Sequence, residues 1–196
     1  MTTRNVSLLF ALAALCLAAA FGQDPKPKQR RPDAAALQRA RELSQTAPQH
    51  EVLRRLGGSW KVLLRTTGPD GAAHEDRGSV AGRALLDGRY VALDFELDLS
   101  GNELLAHQIV GFDTLKGVYT ASWRDTATTW SVDCQGAPTD EPFVIRMRGT
   151  LVDALTPAGR PFRLDLDVRD RAEVRVTIWE GAGADEVQVQ EQRWTR

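Results

Sequence analysis

From Gly58 onward, apolar and polar residues alternate with a period of two, in short runs that end at turn-forming residues. The clearest run is Arg89–Leu99, in which the odd positions from Val91 to Leu99 are apolar and the even positions are Tyr90, Ala92, Asp94, Glu96 and Asp98. This period is typical of antiparallel strands with one face on the core and one in water. We therefore expect Asp94, Glu96 and Asp98 on a solvated outer face rather than as paired catalytic carboxylates.

The whole C-terminal part of the chain divides into runs of this kind. Turn signals such as Asp87-Gly88 separate them, and the predicted strands are 60–67, 78–86, 89–99, 104–113, 118–125, 128–135, 143–155, 162–170, 173–180 and 186–195. In the sixth, Trp130, Val132 and Cys134 are expected to share a face. Closure removes the exposed edges of consecutive hairpins. The prediction is an all-β fold, an antiparallel up-and-down β-barrel of about ten strands, with a two-sheet sandwich as the alternative.

The N-terminus has the pattern of a secretory signal. Arg4 precedes an apolar run over 6–20, and Ala20-Phe21-Gly22 places small residues before a cut at Gln23. The apolar run is short of the roughly 20 residues that a spanning helix needs. Residues 1–22 are therefore predicted to be a signal peptide, and the mature protein to be periplasmic or secreted with no membrane span.

Two helical segments come before the alternating part. Residues 23–46 are predicted to be an extended basic leader and an accessory helix, 34–44, with Asp33 as its N-cap. A second short helix is predicted over 48–56, ending at Gly57-Gly58. The barrel domain is assigned to 47–196.

Charge and composition exclude several classes of function. The 25 basic and 26 acidic residues give a net charge of −1, which argues against a nucleic-acid or anionic-membrane surface. The three histidines have no metal-ligand spacing, and no phosphate loop or nucleophile elbow is present. No catalytic residue, metal or cofactor is predicted; haem would require a histidine that points into the barrel. Cys134, the sole cysteine after cleavage, is expected to be a small buried side chain on a strand rather than a nucleophile.

Several motifs resemble one family. They are His50 with Leu56-Gly57-Gly58-Ser59-Trp60, then Leu86-Asp87-Gly88-Arg89-Tyr90, Gly111-Phe112-Asp113, Lys116-x-x-Tyr119 with Trp123-Arg124-Asp125, and Gln192-Arg193-Trp194-Thr195-Arg196. The chain resembles the bacterial exported domain-of-unknown-function family 1579, placed among lipocalin-like or calycin-like barrels. Phe112 stands where tyrosine is common, and Asp87 replaces a glycine. The resemblance implies a barrel of about ten strands with a short helix capping one end, and it implies no activity.

Five tryptophans lie on predicted strands, where they either fill the core or wall a cavity. The favoured hypothesis is an exported protein that holds a small apolar or amphipathic ligand inside the barrel. One alternative is a hydrolase or isomerase with polar residues at the barrel mouth, such as His107, Arg124 and Asp125. Another is a structural or partner-binding module with a filled barrel. The oligomeric state stays open.

Six residues are predicted to line a ligand site if there is one: Trp60, Arg89, His107, Tyr119, Trp123 and Arg146. Tyr119 and Trp123 share a strand face. His107 shares the face of Leu105 and Ile109, and is expected to enter the barrel. Arg146 is expected to pair with a ligand carboxylate or a buried acidic side chain. Trp60 and Arg89 are expected to close one end.

Overall fold

The computed structural model describes residues 33–68, 71–154 and 156–196; the predicted signal peptide and most of the basic leader lie outside them. Residues Arg39–Arg196 form one compact unit. The helices are α1 (Ala34–Leu43) and α2 (Gln49–Arg54), and the strands are β1 (Gly58–Thr67), β2 (Ala73–Leu85), β3 (Tyr90–Leu99), β4 (Asn102–Asp113), β5 (Val118–Asp125), β6 (Val132–Gly136), β7 (Val144–Leu151), β8 (Arg160–Asp167), β9 (Glu173–Glu180) and β10 (Val187–Thr195).

Asp33 caps the first helix as predicted. Its carboxylate Oδ1 accepts a hydrogen bond from the backbone N–H of Ala36, at 2.8 Å, which satisfies one of the free donors of the first turn. None of the described helices has the length and apolar character required to cross a membrane.

The ten strands form a closed barrel in which each strand pairs antiparallel with the next in sequence. Closure comes from the first and last strands, which pair from Lys61 opposite Thr195 to Thr66 opposite Gln190. The prediction of an up-and-down barrel of about ten strands is confirmed, and the sandwich alternative is wrong.

Helix α2 covers one end of the barrel and packs on β3 and β4. It buries His50 and Leu53, and the next turn buries Leu56. The indole N–H of Trp60 donates to the Leu56 carbonyl oxygen at 3.1 Å. Close approach requires glycine at position 82, because a Cβ there would lie 2.1 Å from that same oxygen. The helix is therefore locked onto the barrel end through backbone contact.

Strand register determines which side chains face inward. Gln108 of β4 lies opposite Leu93 of β3 and opposite Trp123 of β5. Residues directly opposite on paired strands project from the same face, and Leu93 is completely buried. Gln108 therefore faces the interior. Asp94 lies on the outer face, as predicted, with about half of its side chain exposed.

The sixth strand is shorter than predicted. Trp130 precedes β6 and is 42% exposed, so the prediction that it shares a strand face with Val132 and Cys134 is wrong. Before this segment, Asp125 holds a turn in which its Oδ1 accepts hydrogen bonds from the backbone N–H groups of Ala127 and Thr128. This local turn competes with extension of the strand.

Candidate ligand cavity inside the barrel

The barrel interior is not completely filled. A cavity of about 240 Å³ remains, lined by Phe95, Gln108, Trp123, Val132, Cys134, Leu151, Phe162, Leu164, Val176, Ile178, Glu180, Gln190, Gln192 and Trp194. Three of these lie where strands begin or end at the turns away from α2: Val132 starts β6, Leu151 ends β7 and Glu180 ends β9. The cavity therefore lies towards the barrel end opposite α2. It is larger than the ~150 Å³ apolar cavity that takes up benzene and slightly below the roughly 300 Å³ of typical ligand pockets.

Three aromatic rings form one wall of the cavity. Phe95 lies between two tryptophans, with ring centroids 5.0 Å from Trp123 and 5.6 Å from Trp194 and tilted or edge-on geometry. The Trp123 indole N–H donates to Asp125 Oδ2 at 2.8 Å, and that of Trp194 donates to Gln192 Oε1 at 2.8 Å. Because each indole N–H has a partner, both rings are fixed in orientation and present apolar surface.

Two glutamines bring polar groups into this apolar space. Gln108 is 7% exposed and Gln192 is 5% exposed. Within the described residues, the Gln108 carboxamide makes no side-chain hydrogen bond, and Gln192 uses its oxygen alone, as acceptor from Trp194. Buried polar groups usually have partners. These two carboxamides therefore offer unused donors and acceptors to whatever occupies the cavity.

Glu180 and Gln190 also line the cavity, and both are half-buried. Glu180 carries the one carboxylate that the described residues bring to the cavity, and its Oε2 lies 3.4 Å from an Arg160 guanidinium nitrogen. That arginine also pairs with Asp153 at 3.0 Å. Among the described residues, the lining contains no arginine, lysine or histidine. The haem condition, a histidine pointing inward, is therefore not met by the residues around the cavity.

Cys134 contributes a thiol to the cavity wall. It is buried and free, which agrees with the expectation of a small buried side chain on a strand. Burial, with a smaller effect of the neighbouring Asp133 charge, raises the pKa of the Cys134 thiol to about 12. At neutral pH it is therefore the protonated thiol, which is a poor nucleophile.

Of the six predicted site residues, Trp123 lines the cavity. Trp60 and Tyr119 face the interior but pack in the layer beneath α2, where Tyr119 contacts Phe112 at 5.0 Å between ring centroids. Burial raises the pKa of the Tyr119 hydroxyl to about 12. These two aromatic side chains fill the core at the capped end.

His107 lies on the outer face, so the expectation that it enters the barrel is wrong. Its Nδ1 lies 2.5 Å from Asp94 Oδ1 on the neighbouring strand. The hydrogen bond to His107 is the main cause that holds the pKa of Asp94 below its usual value, with Arg83 contributing. The neighbours Leu105 and Ile109 suggested an inward face, but Leu105 is itself 43% exposed.

Arg146 and Arg89 are also outside the cavity. Arg146 donates from Nε to Asp165 Oδ1 at 3.0 Å and lies 3.6 Å from Glu141, so it pairs with protein carboxylates. Arg89 donates to the carbonyl oxygens of Leu86 and Ser44. It lines a separate depression of about 430 Å³.

Of the three residues suggested for an enzymatic site, His107 and Arg124 lie side by side and Asp125 does not join them. His107 and Arg124 are register partners on the outer face, whereas Asp125 is occupied by Trp123 and by Thr128. In the part of the chain that the structure describes, no three His, Cys, Asp or Glu side chains are grouped to hold a metal ion.

Sequence reasoning missed the polar residues of the cavity, Gln108, Glu180, Gln190 and Gln192. A polar residue on an alternating strand is ordinarily assigned to the wetted face. The sequence of β10 does contain a pattern that could have identified two of them, because Gln190 and Gln192 alternate in phase with Trp194. Polar residues in phase with a large aromatic side chain indicate a polar contribution to the interior.

Fold and cavity together define a closed ten-stranded antiparallel barrel with a small, mostly apolar internal cavity and a helix over one end. The chain belongs to the family described as "Protein of unknown function (DUF1579)", whose family model matches residues 45–196. A search of curated proteins finds no match.

Two solved structures are similar to this barrel. The crystal structure of Rv2717c from M. tuberculosis has a TM-score of 0.54 at 12% identity, covering 78% of this chain and 99% of that one. A de novo designed fluorescence-activating β-barrel has a TM-score of 0.41 at 14% identity, covering 74% of this chain and 96% of the designed one. At this identity, the likeness to Rv2717c shows a shared fold.

Proposed function

We propose that this protein binds one small, mainly apolar molecule inside the barrel. The observation that carries the proposal is the cavity of about 240 Å³, whose walls are aromatic and aliphatic side chains with a few polar groups. Ligand sites in proteins have this character. A barrel interior evolved only for stability would be expected to fill such a space, because unfilled volume forfeits packing energy.

The wall residues also suit an apolar occupant. Trp123, Trp194 and Phe95 provide ring faces and edges, and Val176 and Ile178 provide aliphatic surface. Burial of apolar surface contributes about 25 cal/mol per Å², so even a single-ring or double-ring molecule gains useful binding energy from these walls. A larger ligand would require the cavity to expand.

Saturable uptake of an apolar fluorescent probe tests the proposal. We expect 1-aminonaphthalene, a probe with two fused rings, to bind the protein with increased fluorescence and one-site saturation. Ile178→Trp projects extra volume into the cavity and should abolish the signal. Thr177→Trp is the matched control, since this neighbouring residue lies opposite Asp165 and Glu191 on the outer face, and it should bind as the wild type does.

Two results would contradict the proposal. One is the absence of saturable probe binding by the folded wild-type protein, which favours the structural or partner-binding alternative with no ligand. The other is equal binding by Ile178→Trp and Thr177→Trp, which places the probe outside the barrel. Native mass spectrometry of protein purified from its own host identifies any retained molecule directly.

We also propose that the protein is exported, because residues 1–22 have the charge, apolar core and small-residue exit of a secretory signal. The intact mass of the protein isolated from its host should correspond to a chain that begins at Gln23. A mass that retains Met1 would contradict cleavage.

A further inference from the structure

We infer that the cavity selects a ligand with a neutral group that both donates and accepts hydrogen bonds, of the carboxamide or lactam type, recognised by Gln108 with Gln192 as a second contact. This inference rests on the proposed function, since it specifies the chemistry of the ligand that the barrel holds.

Gln108 is the main evidence. Its side chain is more than nine-tenths buried, lines the cavity and makes no hydrogen bond to any residue of the described ranges. Its carboxamide has two donor hydrogens and an acceptor oxygen, and neither polar atom is among the fully enclosed unpartnered atoms of the described residues, so the group reaches the open space of the cavity. A glutamine at this position, flanked across the strands by Leu93 and Trp123, is explained by a cavity occupant with complementary polar atoms.

Gln192 points to the same chemistry from β10. Its oxygen accepts from the Trp194 indole, which fixes the orientation of the carboxamide. The amide nitrogen has no acceptor among the described residues and belongs to the same lining. Gln192 is therefore a preorganised donor, and preorganisation reduces the entropy lost on binding.

The charges around the cavity exclude the other obvious polar ligands. A carboxylate would be buried without a cation, because no basic side chain of the described ranges lines the cavity, and it would also meet the Glu180 carboxylate. Burial of an unpaired charge is costly. A ligand ammonium group would have to compete for Glu180 with Arg160, which already pairs with it. A neutral polar group has neither penalty.

Four molecules with one shared ring system test this inference: naphthalene, 1-naphthamide, 1-naphthoate and 1-naphthylmethylamine. Each competes with 1-aminonaphthalene for the wild-type protein. We expect the amide to compete at a concentration about tenfold lower than naphthalene, the scale of one well-made hydrogen bond to a buried polar group. Naphthoate and the amine should compete more weakly than naphthalene.

A pair of variants locates the preference. Gln108→Met keeps the side-chain length but removes the hydrogen-bonding groups, so the amide should lose its advantage while naphthalene binds as before. Gln135→Met is the matched control, because Gln135 is exposed on β6. In this variant the four molecules should compete in the same order as for the wild-type protein.

Every other outcome overturns the inference. If the amide and naphthalene compete equally, or if naphthoate or the amine competes best, the ligand class is wrong although the proposed function stands. The same holds if the probe binds and none of the four competes. If the probe itself does not bind, both fall together. The order in which the four molecules compete for the wild-type protein is enough to overturn the inference. The test therefore does not depend on whether Gln108→Met folds.

Discussion

The indole N–H of Trp194 donates a 2.8 Å hydrogen bond to the side-chain oxygen of Gln192, two residues earlier on the same face of β10. Both residues are at least 95% buried. One bond therefore satisfies the indole, fixes the aromatic wall of the cavity and directs the remaining Gln192 donors. Stability and the polar character of the cavity depend here on the same pair.

Replacement of Gln192 by Met should destabilise the fold, because it leaves the Trp194 N–H buried without an acceptor. We expect the free energy of unfolding to fall by about 1–3 kcal/mol, measured by urea denaturation. Gln108→Met is the control, since Gln108 gives no hydrogen bond to the described residues, and it should change stability less. An equal loss in the two variants would show that the indole bond is not the cause.

Alkaline pH should destabilise the protein through Tyr119. Burial raises the pKa of its hydroxyl to about 12 in the folded state, whereas an unfolded chain has the ordinary value near ~10. A raised folded pKa contributes stability that is complete below pH ~10 and is lost as the pH rises towards 12.

The matching variant is Tyr119→Phe, whose urea midpoint should fall less steeply than that of the wild type between about pH 10 and 12. Some dependence will remain, because Cys134 has the same direction of shift. If the urea midpoints of the two proteins fall in parallel as the pH rises, ionisation of Tyr119 is excluded as a cause of the alkaline destabilisation.

Gly82→Ala should weaken the attachment of α2 to the barrel. The added Cβ would meet the Leu56 carbonyl oxygen at 2.1 Å, so backbone must shift, at a cost of about 1–3 kcal/mol typical of overpacking. Thermal denaturation measures the loss. Ala81→Ser, at the exposed neighbouring position, should stay within ~0.5 kcal/mol of the wild type. A normal stability for Gly82→Ala would mean that the helix end is not held as closely as described.

His107→Ala should leave probe binding unchanged, because His107 lies outside the barrel and contacts Asp94. The same variant should raise the pKa of the Asp94 carboxyl towards its ordinary value of 3.8, as followed by NMR titration. In the wild type, the lowered pKa contributes stability that is present above pH ~4 and is lost as the pH falls through the folded value. Loss of probe binding in His107→Ala would contradict the outward placement.

The order and approximate bounds of the strands could be predicted from alternation, because a two-residue period is set by the pleat itself. Which face of a strand is inside was harder to predict. In β4, Leu105 and Ile109 flank His107 on one face, and Ala106 and Val110 flank Gln108 on the other, so hydrophobicity is similar on both. The pairing of Gln108 with Leu93 and Trp123 shows that the Gln108 face is inside, and the register of these two hairpins cannot be read from the alternation within β4 alone.

Closure of the barrel by a single long-range pairing has a consequence for how the chain folds. Nine of the ten strand pairs join neighbours in sequence, and β1 with β10 is the exception. The hairpins can form with short loops, whereas joining the two ends requires the loop-closure entropy of the whole domain. The step that seals the barrel is therefore expected to be the slow one. Until it occurs, β1 and β10 present unpaired edges to other chains.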